Sequence, residues 1–327
     1  MLDQYRRNIE YIRISITDRC NLRCMYCMPE GGIEQVEHSD ILTYDEITRL
    51  CRILALKGIS KVKITGGEPL VRKNAAELVR MIKSIPGIDN VTLTTNGILL
   101  GEQMRDLADA GIDAVNISLD ALTEEMFEKI TRRKGLDRVL EGMDKALQFP
   151  DVRVKVNCVL LHGVNEDQWI PIAGLAKDRP IDVRFIEMMP IGYGRKYCGE
   201  ETEDHVRHLL EKAYGKADSL SGRFGNGPST YILPDGFKGK IGFISAISHK
   251  FCGDCNRVRL TSEGFLKPCL QFSHGADMRS LLRDGSSDEQ IGAVAEKIIF
   301  EKPRSHRFGE AQEEGLGKTK RCQKLEG

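Results

Sequence analysis

Cys20, Cys24 and Cys27 stand within eight residues at the spacing C-x3-C-x2-C. Thiols gathered this tightly are metal ligands rather than bystanders. A structural zinc takes four ligands in a closed tetrahedron, and no fourth cysteine or histidine stands close by. A four-iron cluster takes one thiolate per iron, so three thiolates leave one iron open to a small molecule. The first chemistry on offer is therefore a metal site one ligand short.

A second triad, Cys252, Cys255 and Cys269, has the spacing C-x2-C-x13-C. On spacing alone it suits a zinc completed by His249 or His274, or a second cluster. The other four of the ten cysteines, Cys51, Cys158, Cys198 and Cys322, are scattered. Clustered cysteines in a reducing compartment point to metal and not to disulfides. Arg257 and Arg259 leave Cys255 at alternate positions, hence on one face of a strand. Arg13, Lys63 and Lys155 alternate likewise on other strand-like runs. Each alone reads as a solvated surface charge. Turned inward together, they line a site for an anion.

The chain has 327 residues, 41% hydrophobic and 29% charged, an ordinary globular profile with enough length for a large core. Lys and Arg number 48 and so do Asp and Glu, so no global field attracts nucleic acid or an anionic membrane. No apolar run approaches the roughly 20 residues of a spanning helix, and the N-terminus lacks a signal-peptide core. A cytoplasmic protein without nucleic-acid or membrane partners is expected.

The elements that position these residues alternate. Strand-like runs fall at 11–17, 61–65, 91–95, 113–119, 152–160 and 181–187. Helical runs separate them, at 43–57, 74–84, 101–110, 123–130, 136–149 and 165–176. Thr43 and Glu46 form a capping box before the first helix, and Gly58 suits its C-terminal stop. Six such units predict an α/β fold, an open partial (β/α)6 TIM-like barrel, with a doubly wound sheet as the competing layout. In either layout the loops at the C-terminal ends of the strands carry chemistry. The first triad, the stretch Gly66, Gly67, Glu68, Pro69, and Asn96 all follow strands. From about residue 192 the rhythm gives way to Gly-rich loops, a helix near 206–213, short strands at 230–233 and 241–245, a hairpin over 258–266 and two last helices. The expected division is a barrel over 1–191, a smaller α+β extension with the second triad over 192–302, and a flexible tail over 303–327.

Cys20, Cys24 and Cys27, with Tyr26 before the last cysteine, resemble the signature of the radical S-adenosylmethionine enzymes, and the Gly66–Pro69 stretch resembles their second hallmark. With Cys252, Cys255 and Cys269, residues 11–303 resemble the GTP 3′,8-cyclase family of molybdenum-cofactor biosynthesis. The resemblance implies two [4Fe–4S] clusters, one on each triad. It places S-adenosylmethionine on the first, lined by Tyr26, Gly67, Ser118 and Met189. It places GTP on Arg13, Lys63, Thr94, Lys155 and the run Arg257, Val258, Arg259, with Arg184 near the base. Many members carry Arg where Lys63 stands. The implied reaction moves hydrogen from ribose C3′ to an adenosyl radical, joins C3′ to guanine C8, and holds the base at the second cluster. Implied partners are a flavodoxin- or ferredoxin-type electron donor and the next pterin-forming enzyme, with a monomer or homodimer as the assembly.

Two rivals stand beside this reading. One is a peptide-modifying radical enzyme with an auxiliary cluster, the other a non-catalytic metal-binding protein. Gly317, Lys318 and Thr319 imitate the end of a P-loop, but Gln312 replaces its first glycine and no strand precedes it. Members of the family end in Gly-Gly, whereas here Lys324, Leu325, Glu326 and Gly327 close the chain. That departure predicts a protein that binds its clusters and GTP but cyclises poorly.

Overall fold

The computed structural model describes residues 1–222 and 224–308. The expectations placed on 309–327, including the P-loop-like stretch and the unusual end, lie outside the described residues.

Six parallel strands form in chain order: β1 (Tyr11–Ser15), β2 (Lys61–Thr65), β3 (Asn90–Thr95), β4 (Ala114–Ser118), β5 (Arg153–Leu160) and β6 (Ile181–Glu187). Between them run α1 (Tyr44–Leu56), α2 (Ala75–Lys83), α3 (Leu100–Asp109), α4 (Glu124–Thr131), α5 (Leu136–Ala146) and α6 (Trp169–Asp178). Thr43 and Glu46 make the expected capping box on α1. Gly58 takes φ +98°, a left-handed conformation that suits glycine and ends the helix. Each helix buries one apolar stripe. On α2, Leu78, Val79 and Ile82 are fully buried, about 1.5–3 kcal/mol for each side chain.

The region after residue 192 does not form a sheet of its own. It supplies α7 (Glu203–Tyr214), β7 (Ser219–Leu220), β8 (Thr230–Ile232), β9 (Ile241–Ile244), β10 (Arg257–Leu260), β11 (Phe265–Lys267), β12 (Ala276–Asp277), α8 (Met278–Arg283) and α9 (Asp288–Phe300). Strand β9 pairs parallel with β6, and β10 pairs parallel with β1. The result is one 12-stranded sheet in the order β12-β11-β10-β1-β2-β3-β4-β5-β6-β9-β8-β7. Both edges of the six-strand unit are thereby satisfied, which removes two rows of unpaired backbone groups. Antiparallel strands finish each flank. The hairpin expected over 258–266 is β10 with β11.

Residues 303–308, assigned above to the tail, are held in place. Arg7 donates to the carbonyls of Pro303 (2.7 Å) and Arg304 (2.9 Å). His306 is buried, with Nε2 2.7 Å from the Ala246 carbonyl.

Candidate functional site

The side chains that alternate onto one face of the parallel strands line a single cavity of about 1790 Å³, counted out to its open mouth. Register stacks them into rows. Arg259, Arg13 and Lys63 are direct cross-strand neighbours on β10, β1 and β2, and Thr92 continues the row on β3. A second row holds Thr94, Asn116, Lys155 and Asp182, and a third holds Ser118, Asn157 and Arg184. Arg13, Lys63, Lys155, Arg257 and Arg259, expected from alternation, all line the cavity, and so do Thr94 and Arg184, which the resemblance implied. Val258 does not. It is fully buried in the apolar core on the opposite face of β10, so only its main chain is left for a ligand.

The cations differ in how they are met. Lys155 donates to Asp182 (2.9 Å) and to the Phe224 carbonyl (2.9 Å), so its charge is already paired. Arg184 is held by the Asn116 side chain (2.5 Å), which in turn donates to the Leu93 carbonyl. Lys63 has no carboxylate in hydrogen-bond or ion-pair reach among the described residues. Burial drives its ammonium well below the usual lysine range, and Arg184, Arg13, Lys155 and Arg257 add to the effect. Three buried polar atoms of the lining, Thr92 Oγ1, Asn157 Oδ1 and Arg184 Nε, have no hydrogen-bond partner. Such atoms each cost about 1–3 kcal/mol unless a ligand or water meets them. The cavity thus has the donors, the acceptor and the charge to hold a polyanion with polar edges. Thr92, Asn116 and Asn157 were not singled out from the sequence, although Asn157 continues the two-residue alternation that gave Lys155, Thr92 stands two residues before Thr94, and Asn116 pairs between Thr94 and Lys155.

The first triad sits beyond the C-terminal ends of the strands, in the loop after β1. The Cys27 amide donates to the Cys24 carbonyl (2.9 Å), and Arg23 and Met25 amides donate to the Thr131 and Ile130 carbonyls at the end of α4 (2.9 Å each). Arg132 donates to the carbonyls of Arg23 (3.0 Å) and Met28 (2.9 Å). No local sequence signal marked this anchor. Gly67 presses on the same loop: its amide donates to the Thr17 carbonyl (2.7 Å), and a Cβ there would fall on the Arg19 carbonyl and 2.7 Å from that of Asp18. Glu68 is buried and accepts from Leu70 N (3.0 Å), Thr95 Oγ1 (2.8 Å) and Asn96 N (2.6 Å), tying the β2 end to the β3 end. Burial raises its carboxyl to about 7. Asn96 in turn donates to Asn21 (2.7 Å). Tyr26 points into the cavity with its hydroxyl on Asp120 (2.8 Å). Met189 lines the cavity after β6, while Ser118 ends β4 and, like Gly67, lies outside the lining.

The second triad sits at the opposite end. Cys252 and Cys255 precede β10 and Cys269 follows β11, and all three line the cavity. Residues 224–229 cover the same N-terminal mouth, with Asn226 donating to Asn90 (2.6 Å) and accepting from Asn256 (3.2 Å).

The Cys255 thiol differs in its electrostatics from the thiols of the first triad. Burial and then neighbouring Cys20 push Cys27 up to about 12, and burial raises Cys20 and Cys24 as well. Burial also works against ionising Cys255, but Arg257 and Lys302 overcome it and hold that thiol at about 6. Sulfurs around one tetrahedral zinc stand less than about 4 Å apart, given Zn–S near 2.3 Å. Among the described residues only His162, Glu166 and Glu201 bring three ligand atoms within 4.8 Å of one another, and neither cysteine triad does. That spread suits a four-iron cluster, whose thiolates sit on separate irons.

Residues 14–176 match the model of the radical SAM superfamily, and residues 181–308 match that of Molybdenum Cofactor Synthesis C. A GTP 3′,8-cyclase from Clostridium perfringens (strain 13 / Type A) is 46% identical over 308 residues, covering 94% of this chain and 95% of that one. One from Syntrophomonas wolfei is 44% identical over 309 residues, covering 94% of each chain. Molybdenum cofactor biosynthesis protein 1 of Dictyostelium discoideum is 39% identical over 310 residues, 94% of this chain and 49% of that one. Among solved structures, Streptococcus suis SuiB bound to S-adenosylmethionine superposes with TM-score 0.63 at 15% identity, over 88% of this chain and 68% of that one. Native anSMEcpe with bound AdoMet gives 0.52 at 15% identity, over 91% and 82%. Both likenesses concern the fold.

Proposed function

The chain belongs to the GTP 3′,8-cyclase family of radical SAM enzymes, and from that premise we propose how its own residues divide the work. It is a lyase that cyclises GTP to (8S)-3′,8-cyclo-7,8-dihydroguanosine 5′-triphosphate in molybdenum-cofactor biosynthesis, with four-iron clusters and S-adenosylmethionine as cofactors. Bound at an open iron and reduced, S-adenosylmethionine supplies an adenosyl radical, and the protein supplies position and charge.

In this proposal Cys20, Cys24 and Cys27 hold the first cluster. Tyr26, Gly67, Ser118 and Met189 ring S-adenosylmethionine at the C-terminal ends of the strands. Cys252, Cys255 and Cys269 hold the second cluster near the guanine base. Arg259, Arg13 and Lys63 face the triphosphate as one row, with Arg257 beside them, Lys155 and Thr94 on the next row and Arg184 toward the base. The Val258 contribution is a main-chain one. Thr92 and Asn157, whose polar atoms lack partners, meet the nucleotide as well. The observation that carries the reading is a row of cations in one cavity that Cys252, Cys255 and Cys269 line at one end and that Tyr26, from the loop of the first triad, reaches at the C-terminal ends of the strands. SuiB, also solved with its precursor peptide SuiA, shares only the fold at 15% identity, whereas the relatives at 44–46% identity are GTP 3′,8-cyclases, which disfavours the peptide-modifying alternative.

The division into a barrel over 1–191 and an extension from 192 is a functional one in this proposal, since the two parts share a sheet. A low-potential flavodoxin or ferredoxin is the proposed reductant, and the next pterin-forming enzyme the proposed recipient of product. A monomer or homodimer is the proposed assembly. No helix of the described residues is long and apolar enough to cross a membrane. A reducing cytoplasm is proposed because free thiols must survive until iron arrives. The test is anaerobic incubation of the reconstituted protein with S-adenosylmethionine, reductant and GTP. Matched formation of 5′-deoxyadenosine and loss of GTP is expected. 5′-Deoxyadenosine without any GTP consumption would sink the substrate assignment.

A further inference from the structure

Lys302, just beyond α9, is buried to 2% exposure. Its ammonium donates to the carbonyls of Arg257 (2.8 Å) and Pro268 (2.5 Å). No carboxylate lies within ion-pair reach among the described residues. A buried cation without an anionic partner is costly, and a negative charge nearby would relieve that cost. The charged or ionisable groups that face it are the Cys255 and Cys269 thiols and the guanidiniums of Arg7 and Arg257. Arg7, also buried and paired with Asp3 (2.6 Å), donates to the carbonyl of Cys252 (2.7 Å). Each arm of the second triad is thus gripped through its backbone by a buried cation.

We propose that Lys302 is the built-in counter-ion of a cluster held by Cys252, Cys255 and Cys269, and that with Arg7 it positions the loops carrying those ligands. The inference rests on the proposed second cluster. An ammonium at this place stabilises the more negative, reduced state and raises the reduction potential. At an effective dielectric constant of about 20, a unit charge within about 8 Å is enough for a tenfold effect. Lys302 acts here as a positioning residue, through the main-chain carbonyls that its nitrogen holds.

The experiment uses anaerobically reconstituted full-length protein and the variants Lys302→Met, Lys302→Gln and Lys302→Arg. Iron and sulfide are counted, and reductive titrations are followed by electron paramagnetic resonance. A Cys252→Ser/Cys255→Ser variant assigns the second-cluster signal, and the first-cluster signal in each sample reports folding. The reduced-to-oxidised ratio of the second cluster at a fixed potential should fall about tenfold in Lys302→Met and Lys302→Gln, about 59 mV for one electron. Lys302→Arg should restore it. Loss of second-cluster iron from the two neutral variants but not from Lys302→Arg supports the same conclusion. An unchanged ratio and iron content in Lys302→Met, or an arginine variant that behaves like the neutral ones, overturns it. A parent protein with about four irons instead of about eight removes the second cluster itself, a failure read before any variant is made.

Discussion

Binding of GTP should take up a proton at Lys63, and the pH dependence of affinity follows from where that lysine sits. In the empty cavity, burial and the charges of Arg184, Arg13, Lys155 and Arg257 hold its ammonium well below the usual lysine range. A triphosphate laid along the Arg259, Arg13, Lys63 row reverses the sign of the local field and raises that pKa. A group whose pKa is higher in the complex favours binding fully below its free-state value. Its contribution fades as pH rises toward the bound-state value. One linked proton fixes the steepest slope at tenfold in Kd per pH unit, about 1.4 kcal/mol. Titration calorimetry from pH 7.5 to 9.5 avoids the terminal phosphate, whose second ionisation lies near about 6. Repeating it in buffers of different ionisation enthalpy counts the proton directly. Lys63→Arg supplies a charge that does not titrate in this range, so it should bind GTP with a flat profile and no uptake. A parent protein with no proton uptake, or a Lys63→Arg variant with the parent slope, would refute the reasoning.

Gly67→Ala should lose the first cluster while keeping the second, because the added methyl falls on the Arg19 carbonyl just before Cys20; iron per chain should drop from about eight to about four. Asn116→Ala should weaken GTP binding about tenfold by releasing Arg184 and leaving its guanidinium without that acceptor, while Asn116→Asp should restore a rigid Arg184. Equal affinity of Asn116→Ala and the parent would show that Arg184 needs no positioning. Thr92→Val removes a buried hydroxyl that has no partner in the empty protein, so melting temperature should hold or rise while GTP affinity falls. A loss of stability without loss of affinity would mean that the hydroxyl serves the fold. Carbon monoxide or cyanide binding to the reduced protein should report two open irons, and a single one would contradict the assignment of both triads.

Much of this molecule is legible in its sequence because the signals are local. Alternation in β1, β2 and β5 put Arg13, Lys63 and Lys155 on one face, and the cavity collects them. Thr43 and Glu46 begin α1 as their spacing requires. What escaped is long-range. No pattern within residues 241–260 tells that β9 and β10 separate to opposite sides of the six-strand unit, because that choice is decided by which backbone groups remain unpaired. Pairing of Lys155 with Asp182 was hidden because the two residues sit on neighbouring strands 27 positions apart. Val258 was carried into the GTP set with its neighbours, yet its place in the alternation turns its side chain away. Lys302 carries no local sequence signal, and only its burial without a carboxylate in reach reveals it.

The direction of β10 is what puts the two cysteine triads at opposite ends of the sheet, as the proposed function needs. Cys20 to Cys27 follow β1, at the C-terminal end of the sheet, while Cys252 and Cys255 precede β10. Because β10 lies parallel to β1, with Tyr11 opposite Arg257, a residue before one strand and a residue after the other are at opposite ends. A strand of five residues at about 3.3 Å each sets a separation of roughly 16 Å before the loops are added. That length accommodates a nucleoside triphosphate along the inner rows. An antiparallel β10 would have put both triads at the same end and left the cation row outside the space between them. Parallel pairing thus does two things with one set of hydrogen bonds: it seals the edge of β1, and it sets the two cysteine triads at opposite ends of the inner rows, which is what the proposed placing of radical source and base-holding cluster requires.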